Sequence, residues 1–241
     1  MSLVLLTNPT EYVGPGALEV LLAQGHTVLC TDKTFADPEA RIRWEGARNR
    51  CHALAAQSAP EMLSEIMERW TLPDGIVCND AFPNHPKEIG CITDSEFIET
   101  FEAVVLAPIR IAQTFLPAMK NRRTGSFVFV TSARELRPEP GYAVPTTVRA
   151  AATTFMKALA KEVAPYGIQA NSVAPNYLYS EMYYPRAKFV DDPAGRDLIS
   201  RTVPFGRLGQ PEEIGELIAF FACGRSPFIT GQVVYFTGGW P

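Results

Sequence analysis

The chain has 241 residues, of which 46% are hydrophobic and 20% charged, and it carries a formal charge of -4 at pH 7. These are the proportions of a globular protein, and at this length a single α/β domain with one large core is the default. They exclude a basic footprint for nucleic acid, and no run of about 18 apolar residues offers a membrane span.

The first residues, Met1 to Leu6, have neither a basic leader nor a cleavage-like small pair. They read as a strand and not as a signal peptide, and the expected location is the cytoplasm. In chain order the pattern predicts a strand over 3–7, a helix over 16–24 closed by Gly25, a strand over 27–31, a helix over 59–70 and a strand over 75–78. A helix over 95–121 follows, then a strand over 126–131, a helix over 145–164, a strand over 168–173, a helix over 211–223 and a strand over 232–236. Pro145 and Pro211 suit first-turn positions, where the backbone N–H has no intrahelical partner. Lys120, Arg122 and Arg123 form a basic cluster expected to decorate a helix end. Short apolar runs alternating with helices predict a single-domain α/β fold, a doubly wound parallel Rossmann-type sheet. The strands lack polar alternation, as strands buried on both faces do. Ligands of such sheets bind beyond the carboxyl ends of the strands. Residues 179–197, rich in Tyr, Pro and charge, show no period and read as a substrate lid. Five cysteines without a C-x-x-C pair or histidines at ligand spacing read as buried free thiols, with no metal site.

After the first strand, Thr7 to Gly16 opens a helix. A dinucleotide-binding turn keeps its glycines bare so that a pyrophosphate can approach the amides. Gly14 and Gly16 are present, but Asn8 and Tyr12 stand where further glycines are needed, and the Tyr12 phenol would fill the dinucleotide's space. Asp32, which in a nicotinamide-dependent protein would bind ribose hydroxyls, reads instead as a cap or turn residue. Ser132 follows the strand over 126–131, and Arg149 lies on the next helix. A serine-hydrolase reading fails, because His26, His52 and His85 have no pairing with Ser132 and no G-x-S-x-G elbow exists.

These residues resemble the halohydrin dehalogenase branch of the short-chain dehydrogenase/reductase superfamily. Thr7, Tyr12 and Gly14 match its T-x4-[FY]-x-G segment, and Pro175, Asn176, Tyr177 and Leu178 match its P-N-[YF]-[LF] loop. Segments 203–214, 229–232 and 237–239 are typical of the superfamily as a whole. The resemblance implies a cofactor-independent lyase that interconverts vicinal haloalcohols with epoxide and halide, and opens epoxides with small anions such as azide, cyanide or nitrite. It implies that Ser132 holds the substrate oxygen and that Arg149 is the cation beside a tyrosine base. It implies a halide site built from Tyr12, Pro175, Asn176, Tyr177 and Leu178, with the Tyr177 and Leu178 amides facing the ion and Asp80 bracing the loop through Asn176. Val104 replaces a reductase asparagine. Phe82, Leu136, Tyr183 and Tyr184 are candidates to line the substrate cleft, and a homotetramer is expected.

One position departs from the pattern, since Pro145 stands where the family has its tyrosine. Tyr142, seven residues before Arg149, is the nearest phenol, and the helix pattern beginning at Pro145 leaves it on the preceding turn, pointing inward. Either Tyr142 has taken over as base or the chain is a weak or inactive binding relative. A third reading, an NAD(P)H-dependent reductase, rests on the superfamily pattern and Asp32, against Tyr12, Val104 and Arg149.

Overall fold

The computed structural model describes residues 1–83 and 85–241. Seven parallel strands form one sheet: β1 Leu3–Thr7, β2 Thr27–Thr31, β3 Cys51–Ala53, β4 Gly75–Cys78, β5 Gly125–Val130, β6 Ile168–Pro175 and β7 Val233–Phe236. Their order is β3-β2-β1-β4-β5-β6-β7, so the direction of winding reverses between β1 and β4. Side chains alternate across the pleat and serve two cores. Val4 and Leu6 face α1 (Gly14–Ala23) and α8 (Pro211–Ala222), whereas Leu5 faces α3 (Ala59–Arg69), α5 (Ala107–Arg122) and α6 (Ala143–Val163). All eight residues of β6 are buried, which explains their near-continuous lack of exposed polar positions.

α1 and α8 touch backbone to backbone. A Cβ on Gly16 would stand 2.0 Å from the Pro211 carbonyl oxygen, and one on Gly215 would stand 2.5 Å from the Gly16 carbonyl oxygen. This contact fixes where α1 begins, and so where the loop after β1 must turn.

Three elements escape the sequence reading. β3 has three residues, too few to show an alternation. α2 (Pro38–Gly46) buries no residue at all and is started by Asp37, whose carboxylate accepts from the Glu39 amide at 3.1 Å. α7 (Pro193–Thr202) lies partly within the segment expected to be a patternless lid. Asp192 caps it, and Ile199 packs with Tyr184, Val203 and Leu208 in a satellite core.

The helix expected over 95–121 is α4 (Asp94–Phe101) and α5 joined by a π-turn, Glu102–Leu106. Val104 is buried within that turn and packs against Val144 and Val148. An 18-residue window within 94–122 reaches a mean hydropathy of 1.2, so by length and composition alone the segment could cross a bilayer, although Glu102 and Arg110 interrupt its apolar run. Here Ile111, Phe115 and Met119 of that segment lie against the sheet, as in the core helix of a globular domain. At its end, Arg122 donates to the Leu72 and Pro73 carbonyls, both at 2.6 Å, and Lys120 pairs with Glu162 at 3.1 Å. The basic cluster thus staples the helix end. Cys30, Cys51 and Cys78 are buried free thiols and Cys223 is half-buried, while Cys91 is exposed, which corrects the expectation for that residue.

α6 starts earlier than expected, with Tyr142 as its N-cap and Pro145 at the third helical position. The amide there needs no intrahelical acceptor, so proline costs no hydrogen bond. A proline ring crowds the carbonyl four residues back. That carbonyl belongs to Gly141, which lies outside the helix and accepts from the Lys87 amide at 2.9 Å.

Gly16→Ala is expected to lower stability by about 1–3 kcal/mol, the cost of overpacking a tight contact. Gly46→Ala, where nothing lies within 4 Å, should leave stability unchanged or slightly raised. Urea unfolding midpoints for the two variants check the contrast.

Candidate active site

The loop after β1 is shaped by backbone that favours small or polar residues. Asn8 and Tyr12 adopt left-handed conformations at φ 53° and 55°. Gly14 packs so closely beneath them that a Cβ would stand 2.3 Å from the Asn8 carbonyl oxygen. Asn79, fully buried at the end of β4, donates to the Asn8 and Glu11 carbonyls at 2.9 and 3.0 Å, and its amide donates to Thr7 Oγ1 at 2.8 Å. Asp32 follows β2. One of its carboxylate oxygens accepts from Thr10 Oγ1 at 2.8 Å, and the other accepts from the Thr34 amide and hydroxyl at 2.9 and 2.7 Å. Asp32 is therefore a cap and a loop tether.

This scaffold places the Tyr12 ring between the chain's own polar groups. The Tyr183 ring meets it edge-on with centroids 4.9 Å apart, and the Arg149 guanidinium carbon lies 5.8 Å from its centre. Burial pushes the Tyr12 phenol well above the ordinary tyrosine range, with Arg149 opposing, so it stays neutral at physiological pH. Arg149 is itself buried and donates to the Val130 carbonyl at 2.7 Å. Burial pushes the Asp80 carboxyl up to about 6, against the pull of Arg149 and a 3.4 Å bond from Thr7 Oγ1.

Ser132 follows β5 by two residues and caps the short 3-10 turn Ala133–Leu136, its hydroxyl oxygen accepting from the Arg134 amide at 3.2 Å. With that oxygen accepting, the hydroxyl hydrogen is free to donate elsewhere. Ser132, Tyr142 and Arg149 line one cleft, open at its mouth. Sequence reasoning paired Tyr142 with Arg149 as its cation. The guanidinium packed on Tyr142 is instead that of Arg134, 3.8 Å from the ring centre, while Arg149 is turned towards Tyr12 and Val130.

Beyond β6, Pro175, Asn176, Tyr177 and Leu178 all reach the cleft, as do Tyr183 and Tyr184. The expected hydrogen bonding differs in two respects. Tyr177, at φ 53°, gives its amide to Asn176 Oδ1 at 3.0 Å, so that amide does not point freely into the cavity. The Leu178 amide has no protein acceptor among the described residues, because the bridge to Gly209 uses its neighbours. The expected brace between Asp80 and Asn176 is not formed either. Asn176 Oδ1 also accepts from the Tyr184 hydroxyl at 2.9 Å, and its buried Nδ2 has no partner among the described residues. Asp80 bonds Thr7 and is not among the residues that line the cleft.

Two substrate-pocket expectations are corrected. Leu136 is 46% exposed and lies outside the cleft, because the 3-10 turn carries it to the surface. Phe82 also lies outside it: its ring packs against the cluster around Val104 and Val148, and its carbonyl accepts from the Tyr183 hydroxyl at 3.1 Å. Three lining residues were missed, namely Arg134, Pro145 and Met182. The signal for Arg134 was Ser132 itself. A strand-end serine that caps a 3-10 turn folds the residue two positions on back beside it.

Residues 13–241 match the family model described as enoyl-(acyl carrier protein) reductase. Among curated relatives, the 3-oxoacyl-[acyl-carrier-protein] reductase FabG of Escherichia coli (strain K12) is 28% identical over 240 residues, covering 98% of this chain and 96% of its own. A solved structure described as a dehalogenation enzyme is 34% identical with a TM-score of 0.95, covering 100% of this chain and 98% of its own. Halohydrin dehalogenase HheC, solved bound to ethyl (2S)-oxiran-2-ylacetate, is 28% identical with a TM-score of 0.96, covering 100% and 97%.

The raised Asp80 carboxyl gives a stability prediction. A carboxyl that titrates near 6 when folded and near ~3.9 when unfolded binds protons more readily in the folded state. Stability is then greatest below the unfolded value and falls as pH rises through about 6. Asp80→Asn removes this loss, so the variant should gain on the parent by on the order of 1–3 kcal/mol between pH 4 and pH 7.5. Denaturant midpoints measured at both pH values check it.

Proposed function

The chain belongs to the short-chain dehydrogenase/reductase superfamily, and within it we propose that this protein is a halohydrin dehalogenase-like lyase. It interconverts vicinal haloalcohols with epoxide and halide, and opens epoxides with small anions. The single observation that carries the proposal is the first loop: Tyr12 and the engaged Asp32 occupy what a nicotinamide dinucleotide would need. Asp32 is buried, and Thr10 and Thr34 already take three of the roughly four acceptor sites of its carboxylate, which leaves little for ribose hydroxyls. The Tyr12 ring, held by Tyr183, stands in the turn where a pyrophosphate would lie. The residues present do not fit that cofactor, and no step is assigned to it. Similarity to a dehalogenation enzyme and to halohydrin dehalogenase HheC supports the same direction.

In this proposal the substrate hydroxyl accepts from Ser132 Oγ, and Tyr142 takes its proton. The alkoxide oxygen forms a bond to the neighbouring carbon as the carbon–halogen bond breaks, and the halide leaves with the bonding pair. The halide comes to rest against the Leu178 amide, walled by Pro175 and by the Tyr12 and Tyr177 rings, whose edges carry partial positive charge. Arg134 and Arg149 both contribute positive charge to the cleft, which favours the developing alkoxide. In the reverse direction Tyr142 returns the proton as an anion attacks the epoxide carbon. A homotetramer belongs to the same proposal.

A second reading, a binding relative without turnover, is favoured by Pro145 at the family's tyrosine position. The sequence relatives favour a third, a nicotinamide-dependent reductase.

Purified protein should release bromide or chloride from a simple vicinal haloalcohol at neutral to alkaline pH. Tyr142→Phe and Ser132→Ala should each cut that rate by ~10² to 10⁴. Titration with NADH should show no saturable change in nicotinamide fluorescence. Saturable NADH binding without halide release would establish the reductase reading in its place, and neither signal would leave the binding relative.

A further inference from the structure

We infer that Arg134 recognises a carboxylate carried by the substrate, so that the cleft prefers acidic haloalcohols and epoxides over their neutral esters. This deepens the reading above and rests on the cleft being the substrate site. Ser132 and Arg149 act at the reacting oxygen, but Arg134, besides the charge it lends the cleft, is a second guanidinium in the same wall whose fork is only partly used, by an ion pair with Glu139 and a contact with the Tyr184 hydroxyl. Its backbone amide is tied to Ser132 Oγ, which fixes the residue at the cleft rim. Its guanidinium carbon sits over Tyr142, 3.8 Å from the ring centre, which holds the group against the cleft wall. The side chain is 19% exposed, and its Nη1 is buried without a hydrogen bond among the described residues. Glu139 approaches that nitrogen only to 3.4 Å, longer than a charge-assisted bond.

A second orphan donor stands close by. The Tyr184 hydroxyl lies against the Arg134 guanidinium and donates to Asn176 Oδ1, and the Nδ2 of the same buried amide has no partner among the described residues. Two donors without acceptors therefore flank one hydroxyl. The lining of the cleft includes two arginines and, among the described residues, no Asp or Glu. A carboxylate satisfies such a site, because its two oxygens match the planar fork of an arginine. A neutral ester offers one weak acceptor in its place. Hydrogen bonds to charged groups in buried sites correspond to about a 10- to 100-fold preference.

The test compares kcat/KM for azide opening of oxiran-2-ylacetate and of its ethyl ester. In the parent the acid should be favoured about 10-fold or more, and in Arg134→Met the ratio of acid to ester should fall to near one. Any effect of losing the Tyr142 contact strikes both substrates alike and cancels in the ratio. In parallel, unreactive 3-hydroxybutyrate should raise the melting temperature of the parent more than its ethyl ester does, and lose that advantage in the variant. If Arg134→Met does not fold, Arg134→Gln carries the same expectation. An acid-to-ester ratio of one or less in the parent, or one that survives in the variant, overturns the inference. If neither epoxide is consumed, the lyase reading fails and the melting-temperature difference alone decides whether Arg134 holds a carboxylate.

Discussion

Thr10 and Thr34 take the two oxygens of Asp32 while Asn79 holds two carbonyls of the same loop from the other side. Everything at the carboxyl ends of the central strands is arranged around that lashed turn. Because the loop cannot relax, two residues sit in left-handed backbone, and the second of them, Tyr12, is aimed at Arg149 and Tyr183. Left-handed backbone is costly for a bulky residue, and it persists where the surroundings over-determine it. Here four side chains and a glycine packed against Asn8 supply that determination. The result is a turn whose carboxylate and two of whose carbonyls are engaged within the protein itself.

The sheet was legible because its strands are apolar throughout and its helices are amphipathic or capped. β1, β2 and β4 fall where the residue pattern sets them. What stayed hidden shares a cause: β3 is too short to show a period, and α2 contributes nothing to a core, so hydrophobic spacing had nothing to register. α7 is started by Asp192 with Pro193 behind it, a capping signal that tyrosine-rich neighbours obscured. The π-turn at Val104 is invisible for another reason. It changes the hydrogen-bond ladder of a helix without changing the residue types that a helix prefers.

The site was legible residue by residue but not bond by bond. Motif spacing brings Tyr12, Ser132, Tyr142, Arg149 and the 175–178 loop to one cleft. It could not show that Asn176 bonds its own neighbour's amide and the Tyr184 hydroxyl, which leaves Asp80 with Thr7. Side-chain amides and carboxylates choose among several nearby partners by differences of a few tenths of an ångström, and sequence carries no such distances. Nor did it show that Tyr142 stacks with a cation two residues beyond Ser132, because a 3-10 turn, and not a helix, brings them together.

Tyr142 is the N-cap of α6, with φ -117° and ψ 30°, and so stands just outside the helical ladder. A phenol borne within the helix would be locked to Arg149 by the helical pitch, and any lengthening or shortening of the chain between them would disrupt the rod. Here the hydroxyl is placed by the short stretch that joins the 3-10 turn to α6, which contains Pro138, Pro140 and Gly141. Insertions and deletions in that stretch can slide the phenol across the cavity while the rod and its arginine stay where they are. The position of this hydroxyl is thus set by a loop whose length can change without disturbing the helix that carries Arg149.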